Sequence, residues 1–288
     1  MSISRQNLTI VIVTLKSEKV INKCINSINQ DIPIIVVENS SNQQFKHDLE
    51  SKYQNVKCIL SGSNLGMGAG NNIGIQYTKT DYVFILNPDI ILDPKTLDEL
   101  FLASKNLEEF SILSPINRDL NFPNYKEKKF QEKENFPFQV NYVDGFSMLL
   151  NKKKFQNNIY FDENFFLYLE NTDLCIRVNR LGGSIFIVPS AKITHHGSMA
   201  VDSKYKDEVE LSRNWHWIWS KFYFNKKNFG ITKAIIECLP TFISSILRFL
   251  FYLLINNNFK KKIYLNRASG FYNALLGRSS WYRPKIDD

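Results

Sequence analysis

The N-terminal third of the chain alternates between short apolar runs and segments with helical spacing. Apolar runs that predict strands occupy Leu8–Val13, Ile32–Val37, Val56–Leu60 and Tyr82–Leu86. Segments that predict helices lie between them, at Val20–Ile28, near Gln43–Tyr53 and at Asn71–Tyr77. Strands separated by helices pair in parallel, so the pattern predicts an α/β fold with a Rossmann-like sheet.

Weaker patterns continue this alternation towards residue 190. They predict a helix from about Asp93 to Phe110, a strand over Val143–Asn151, a helix over Asn171–Leu181 and a strand over Ser184–Val188. The segment Asn117–Asn141 is polar, rich in Lys and Glu, and contains two prolines. We therefore expect a surface loop there that moves over the ligand-binding site of the protein.

The C-terminal part has a different character, and we predict a domain boundary that separates 1–225 from a helical, basic extension, 226–288. Residues 221–288 hold twelve Lys or Arg against three acids and enclose the apolar run Ala234–Ile255. That run has transmembrane length, but a central arginine, Arg248, costs roughly 2.5–3.5 kcal/mol on insertion. We favour a helix lying in the plane of an anionic membrane surface. The alternative is a helix hairpin packed on protein or on a second subunit.

One predicted face of this helix gathers its apolar positions at helical spacing. They are Ile235, Leu239, Phe242, Ile243, Ile246, Phe249, Leu250 and Leu253. Lysines flank the segment on both sides, which suits an anionic surface.

Composition narrows the class of protein further. The chain has 288 residues, 44% of them hydrophobic, which is enough for a full core, and a formal net charge of +8, which favours an anionic partner. Its four cysteines form no CxxC pair, which indicates a reducing compartment and no structural zinc. The apolar run Leu8–Leu15 is too short for a signal peptide and lacks a cleavage site. We therefore expect a cytoplasmic protein.

Polar residues follow three of the predicted strands. They are Thr14, then Glu38-Asn39-Ser40, then Asn87-Pro88-Asp89. Ligands of such sheets bind beyond the carboxyl ends of the strands, so these residues should converge on one crevice. A carboxylate at Asp89 can hold Mg²⁺ or Mn²⁺, which neutralises a diphosphate leaving group. The tripeptide by itself equally fits a cap on the following helix.

Six motifs follow one another over roughly residues 8–225. They are LTIVIVTLKSEKVINKCINSI, IIVVENSS, NLGMGAGNNIGI, ILNPDI, FDENFFLYLENTDLCIRVNRLGG and ITHHGSM. In this order and spacing they resemble family 2 glycosyltransferases of the GT-A fold, especially the rhamnosyltransferase-like branch that builds bacterial surface polysaccharides. The resemblance implies an inverting, metal-dependent transfer of a sugar, rhamnose as the first guess, from a dTDP- or UDP-sugar. It also implies a glycan or lipid-linked glycan acceptor at the cytoplasmic face of the membrane.

The resemblance also assigns nucleotide contacts and a metal site. Glu38 stands where the family usually has an Asp that binds the pyrimidine ring. The implied nucleotide contacts are Thr14, Glu38, Asn39, Ser40, Asn64, Gly66, Asn71 and Asn87. Asn87-Pro88-Asp89 replaces the family's DxD motif, which leaves Asp89 as the metal ligand. His195 is implied to complete that site, with His196 as second choice, and the structural alternative for both is a pair of loop residues.

Glu170 is the first candidate for the catalytic base and Asp173 the second. The family usually reads Glu-Asp where this chain has Glu170-Asn171, and Asn171 cannot act as a base. Asp173 can instead pair with Arg177 one helical turn later, which would be a structural role. All these acids also suit the first turn of a helix.

Two other functions stay open on these residues. A nucleotidyltransferase would share the sheet, but it would need a basic, Gly-rich loop after the first strand, and Thr14-Leu15-Lys16-Ser17 is not one. A catalytically inactive carbohydrate-binding or scaffold subunit would explain Asn171. Nucleic-acid binding would depend on charge alone, and we do not predict it. Homo-oligomerisation is left open.

Overall fold

The structure is a computed structural model that describes residues 3–107, 109–119, 123–125, 136–195, 197 and 200–286. The chain forms two compact units. The first comprises Met1–Leu65, Ala69–Asp162 and Asn171–Asp202, and the second comprises Gly66–Gly68, Glu163–Glu170 and Ser203–Asp288. The predicted boundary after residue 225 falls inside a helix of the second unit, Lys206–Phe229. A two-domain division at that point stays a prediction.

The described residues of the first unit contain nine strands in one mixed sheet. They are β1 (Leu8–Thr14), β2 (Ile34–Glu38), β3 (Val56–Leu60), β4 (Tyr82–Leu86), β5 (Ile90–Leu92), β6 (Phe110–Asn117), β7 (Phe138–Val140), β8 (Ser147–Asn151) and β9 (Ser184–His195). Their order is β3-β2-β1-β4-β8-β6-β9-β5, with β7 paired to β9. Strands β3, β2, β1 and β4 run parallel. The predicted α/β fold is therefore confirmed.

The sheet is less parallel than predicted, because the chain returns through it in the opposite direction. Strand β8 is antiparallel to both β4 and β6, and β5 and β7 are antiparallel to β9. None of these four antiparallel pairs joins consecutive strands, so none is a hairpin.

Helices cover both faces of the parallel strands. They are α1 (Ile21–Asn26), α2 (Gln43–Lys52), α3 (Gly66–Gln76), α4 (Thr96–Asn106) and α5 (Glu170–Arg180). Every residue of β1 is buried, and alternate side chains point to opposite faces. Leu8, Ile10 and Ile12 join the core with residues of α1, α2 and α4. Val11 and Val13 face α3.

Two glycines allow α3 to pack closely on β1. A Cβ at Gly70 would lie 2.9 Å from Val13 Cγ1, and one at Gly74 would lie 2.3 Å from Val11 Cγ1. Helix α3 begins at Gly66, five residues before the predicted start at Asn71. The glycines of its first turns lower helix propensity, but contact with the sheet outweighs a cost of about 1 kcal/mol per glycine.

Three other boundaries differ from the prediction. The helix predicted to reach Phe110 ends at Asn106, and Phe110 begins β6, which was not predicted because Pro115 interrupts its pattern. The ladder between β6 and β9 shifts register at Pro115, the place where a strand tolerates proline. Strand β9 continues past Val188 to His195. In the predicted loop Asn117–Asn141, residues 138–140 form β7, while 120–122 and 126–135 lie outside the described residues.

Three helices build most of the second unit. They are α6 (Lys206–Phe229), α7 (Ile231–Leu254) and α8 (Asn258–Leu275). Trp215, Trp219 and Phe222 of α6 pack with Ala234 and Cys238 of α7, and Phe271 and Ala274 of α8 join the same cluster. The close approach of α8 needs Gly270, where a Cβ would lie 2.3 Å from Trp215 O.

Helix α7 has one face packed and one face exposed. Ile235 and Phe242, predicted to share the membrane-facing stripe, pack instead against the cluster of α6 and α8. The exposed apolar side chains are Ile236, Leu239, Ile243, Leu247, Leu250, Phe251, Leu253 and Leu254. By length and composition alone, α7 is the one helix in the described part of the chain that could cross a membrane.

Candidate active site

Asp89 and His195 are brought together by the pairing of two strands in the first unit. After β4, Ile90 N donates to Asn87 O at 3.2 Å, and this turn leads directly into β5. Ile90 lies opposite His195 in the ladder between β5 and β9. His195 Nε2 therefore lies 3.5 Å from Asp89 Oδ1. The Phe146 ring supports the imidazole from 4.2 Å between ring centroids.

Buried oxygen atoms at this edge of the sheet have no internal partner. Asn87 Oδ1, Asp89 Oδ1 and Ser147 Oγ are buried and make no hydrogen bond to any described residue. Ser147 is paired with Leu86 at the end of β4, so it lies beside the turn that carries Asn87 and Asp89. Burial of an unpaired polar atom is costly, so this donor set fits a hard cation or a polar ligand.

Asp89 and His195 provide fewer side-chain ligands than a metal site made only of protein groups would need. Among the described residues, no three His, Cys, Asp or Glu side chains converge as metal ligands. Mg²⁺ is commonly held by one or two carboxylates together with substrate phosphates and water. The pair Asp89 and His195 therefore fits that kind of site and not an all-protein cage. His196 lies outside the described residues.

Glu38 is a buried carboxylate whose two oxygens are both hydrogen-bonded within the first unit. Thr14 Oγ1 donates to one oxygen, while the backbone N–H of Ser40, at 2.7 Å, and its hydroxyl donate to the other. Burial raises the pKa of Glu38, and these hydrogen bonds oppose the rise. Thr14 and Glu38 are direct neighbours in the parallel ladder, and Asn39 N donates to Thr14 O at 2.9 Å. The ends of β1 and β2 therefore lie side by side, and their convergence with Asn87-Pro88-Asp89 on one crevice stays a prediction.

The asparagines and glycine at the start of α3 have different surroundings. Asn64 is half-buried, and Asn71 is buried with no partner for its Oδ1 among the described residues. Gly66 has a φ of +85°, and a Cβ there would lie 2.1 Å from Phe166 O. Both the backbone conformation and the packing therefore require glycine at this position. Asn72 forms two hydrogen bonds with the backbone of Phe161. Its Nδ2 donates to Phe161 O at 2.9 Å, and Phe161 N donates to its Oδ1 at 3.0 Å.

Glu170 is a buried carboxylate at the first position of α5, in the second unit. Burial raises its pKa from 4.5 to about 7, and a hydrogen bond from its own backbone N–H opposes this rise. Its Oε2 has no hydrogen-bond partner in the part of the chain that the structure describes. The two residues before it, Tyr168 and Leu169, have φ values of +72° and +69°. Such left-handed conformations in residues other than glycine cluster at active sites.

Asp173 has a partner that limits what it can do. Its carboxylate is fully buried and pairs with Arg177, whose Nε lies 2.9 Å from Asp173 Oδ2. The same guanidinium also donates to Tyr160 O. The predicted pairing between Asp173 and Arg177 is therefore confirmed, and Asp173 connects α5 to the preceding loop.

Asn171 acts as a hydrogen-bond donor in the first unit. Its Nδ2 donates to Val143 O at 3.0 Å and to the Tyr142 hydroxyl at 3.2 Å. A Cβ on Gly145 would lie 3.1 Å from Asn171 Cβ, so the loop before β8 packs tightly against this side chain. An ionised Asp could not donate either bond.

The family model of glycosyl transferase family 2 matches residues 9–179, more than half of the chain. The chain belongs to this family. One relative of the family 2 protein is the low-salt glycan biosynthesis hexosyltransferase of Haloferax volcanii, 28% identical over 193 residues. Another is the N-acetylglucosaminyl-diphospho-decaprenol L-rhamnosyltransferase of Mycobacterium tuberculosis, 23% identical over 207 residues. The predicted resemblance to a rhamnosyltransferase-like branch is confirmed.

These matches are partial for both proteins. They cover 60% and 57% of this chain, and 62% and 66% of the two relatives. Among solved structures, GalNAc-T7 with UDP, GalNAc and Mn²⁺ aligns with a TM-score of 0.54 at 14% identity, over 74% of this chain and 52% of that one. This likeness supports the GT-A fold and nothing finer.

Sequence reasoning did not assign Ser147 or Phe146 to the Asp89 edge. Both residues lie in the predicted strand Val143–Asn151. Its position beside β4 depends on an antiparallel pairing that periodicity does not reveal. A buried strand that begins with a serine was the available signal.

Proposed function

We propose that this family 2 protein is an inverting glycosyltransferase that moves a sugar from a nucleoside-diphosphate sugar to a glycan acceptor. Rhamnose is the donor sugar to test first, because one relative is named an L-rhamnosyltransferase. The acceptor is a glycan or lipid-linked glycan of surface polysaccharide synthesis. The observation that carries the proposal is the buried Glu170 carboxylate, whose Oε2 has no hydrogen-bond partner among the described residues. Burial raises its pKa to about 7, which suits a base near neutral pH.

Glu170 takes the proton from the acceptor hydroxyl as that oxygen attacks the anomeric carbon. Its Oε2 is free of internal hydrogen bonds among the described residues, so it can accept a proton without losing a partner. Asp173 is a poorer candidate, because Arg177 Nε already contacts its Oδ2 at 2.9 Å. Asn171 contributes structure and not proton transfer.

Donor binding is assigned to the strand ends and the start of α3. The base and ribose contact Thr14, Glu38, Asn39 and Ser40. The Glu38 carboxylate already accepts three hydrogen bonds and retains capacity for one more, from the base. Asn64, Gly66, Asn71 and Asn87 lie along the sugar and phosphates. The unpartnered oxygens of Asn71 and Asn87 support this assignment, because a bound donor would satisfy them.

Asp89 and His195 hold the divalent cation, Mg²⁺ or Mn²⁺, in this proposal. When bound, the ion neutralises charge on the departing nucleoside diphosphate. The buried Oδ1 of Asp89 supports the site, because it makes no hydrogen bond to a described residue and has only the His195 ring beside it, at 3.5 Å. Phe146 keeps the His195 ring beside it.

The exposed face of α7 supports the part of this proposal in which the protein binds the cytoplasmic surface of a membrane. The helix is 24 residues, or about 36 Å, long, and apolar side chains on its exposed face follow helical spacing. Exposed lysines occur just before it, at Lys226 and Lys227, and just after it, at Lys260 and Lys262. Apolar area flanked by cations suits an anionic bilayer surface.

Thermal stabilisation by nucleotide sugars tests the function as a whole. We expect dTDP-rhamnose or a UDP-sugar to raise the melting temperature of the full chain, and Mn²⁺ to increase that shift. Transfer to an N-acetylglucosaminyl-diphospho-lipid should release the nucleoside diphosphate. Binding without any transfer would favour an inactive carbohydrate-binding subunit, and absence of binding to every donor would contradict the proposal.

A further inference from the structure

Trp217 differs from the two tryptophans beside it in the sequence. Trp215 and Trp219 are buried in the second unit, and their indole N–H groups donate to Ser269 Oγ at 3.1 Å and to Arg278 O at 3.0 Å. Trp217 is 47% exposed. Its indole N–H makes no hydrogen bond to any residue that the structure describes. Packing therefore explains two of the three tryptophans and leaves the third to another role.

Tyr168 stands edge-on to this exposed indole. The two ring centroids are 5.5 Å apart and the ring planes meet at 85°. A perpendicular pair holds the indole in place by an edge contact and leaves much of its surface open. Trp217 is thus an oriented, half-exposed aromatic surface.

The segment that carries Tyr168 contacts α6 at His216 and at Ser220, before and after Trp217 in the sequence. Ser220 Oγ donates to Leu167 O at 2.8 Å, and the Phe166 ring lies 4.4 Å from the His216 ring. Residues 166–168 therefore follow α6 closely, and the backbone then passes through the left-handed Leu169 into Glu170. Both ends of this short connection are fixed within the second unit.

Polar groups accompany the aromatic pair. Burial raises the pKa of the Tyr168 hydroxyl, and the charges of Arg213, Glu210 and Glu170 also act on it. A pyranose ring combines an apolar C–H face with a rim of hydroxyls. The exposed indole matches the apolar face of such a ring, and the phenol beside it can meet the hydroxyl rim.

We propose that Trp217 and Tyr168 form the platform on which the acceptor pyranose stacks, with Trp217 under the ring face and Tyr168 at its rim. This inference depends on the proposed function, in which Glu170 is the base. It adds the substrate class, a neutral pyranoside with an apolar ring face, and a specificity-determining residue, Trp217. Tyr168 lies two residues before Glu170, the proposed base, in the sequence.

Saturation-transfer NMR with simple pyranosides tests the platform without donor or turnover. The probes are methyl α-L-rhamnopyranoside and methyl N-acetyl-β-D-glucosaminide at millimolar concentration. We expect transfer to the ring C–H protons in the wild type, loss in Trp217→Ala and partial retention in Trp217→Phe. Phe229→Ala is the matched control, because Phe229 is also an exposed aromatic of α6, at 55%, held edge-on by Phe224.

Kinetics with a lipid-linked N-acetylglucosaminyl acceptor give a second readout. Trp217→Ala should raise the acceptor KM about tenfold, which corresponds to about 1.4 kcal/mol. The donor-induced melting shift should stay unchanged, so a failure of donor binding in the wild type would count against the proposed function and not against the platform. Phe229→Ala should keep the acceptor KM of the wild type.

Three outcomes would overturn the platform. One is undiminished transfer to the pyranosides in a folded Trp217→Ala variant, and another is absence of transfer from every pyranoside in the wild type. The third is a Trp217→Ala variant that loses binding to phosphatidylglycerol vesicles while keeping its pyranoside contacts. That result would assign Trp217 to the membrane surface.

Discussion

Asn171 Nδ2 donates a hydrogen bond to Val143 O at 3.0 Å, at the position where the family usually has an acid. The amide therefore has a structural reason to be there. We expect Asn171→Asp to lower the free energy of unfolding by about 1–3 kcal/mol at neutral pH, because a carboxylate would face a carbonyl oxygen. Chemical denaturation measures this loss, which should shrink at low pH, where a protonated Asp can donate again.

Asn179→Asp is the matched control for that substitution. Asn179 also donates from α5 to a backbone carbonyl, Asn141 O at 2.8 Å, but its bond is exposed. Its replacement should change stability by less than about 0.5 kcal/mol. A gain in activity by Asn171→Asp without loss of stability would show that an acid belongs at this place.

Glu170→Gln should lower turnover by about 10²–10⁴-fold, because the amide cannot accept the proton. The donor-induced melting shift should persist. In the wild type, kcat should rise with pH and level off above about 7, since the carboxyl works only when it is ionised and burial raises its pKa to about 7. Nucleotide release assays over a pH series measure both effects. A turnover lost in Asp173→Asn but kept in Glu170→Gln would move the base to Asp173.

Asp89→Asn should abolish the extra stabilisation that Mn²⁺ gives in the presence of donor. At a cation concentration about a hundredfold above its Kd, that stabilisation is about 2.7 kcal/mol. Isothermal calorimetry with Mn²⁺ and the nucleoside diphosphate measures the same loss directly. Asp93→Asn is the control, because Asp93 lies directly after β5 and pairs with Arg118. Equal Mn²⁺ affinity in both variants would contradict the assignment of Asp89.

Leu247→Glu should weaken sedimentation with vesicles that contain phosphatidylglycerol, because it places a charge on the exposed face of α7. Leu102→Glu is a matched control on α4, since Leu102 is 56% exposed and Leu247 is 62% exposed. Light scattering of the wild type without lipid completes the test. A dimer that Leu247→Glu dissociates, with unchanged vesicle binding, would assign this face to a second copy.

Gly74→Ala should destabilise the protein by about 1–3 kcal/mol, because the new Cβ would lie 2.3 Å from Val11 Cγ1. Both backbones are fixed by the sheet and the helix, so neither can move away cheaply. Val11→Ala in the same chain should restore part of the loss, which thermal unfolding of the single and double variants measures. A neutral Gly74→Ala would mean that α3 does not pack on β1 as described.

Local patterns predicted the parallel half of the sheet well. Strands β3 and β4 match their predicted bounds, and β1 and β2 match theirs within two residues. Strands β1, β2 and β4 are buried along their whole length, as a doubly covered strand is. Strand β6 was missed because Pro115 interrupts its run, and β7 was missed within a polar segment. Both are held by β9, a distant partner that local sequence does not reveal.

The candidate site divides in the same way. Thr14, Glu38 and Asp89 were predicted from their positions after strands, because the carboxyl ends of parallel strands share one edge. The proximity of His195 to Asp89 depended on the resemblance, since more than a hundred residues separate them along the chain. The structural role of Asn171 needed the position of Val143.

The sequence by itself determined the parallel strands β1 to β4, the polar residues that follow them, and the family to which the chain belongs. These properties arise from local propensity and from motifs in a fixed order. Only the tertiary structure decided that His195 lies beside Asp89 and that Trp217 is exposed where its neighbours are buried. Each depends on contacts across the sheet or between helices, and burial and pairing are properties of the packed chain.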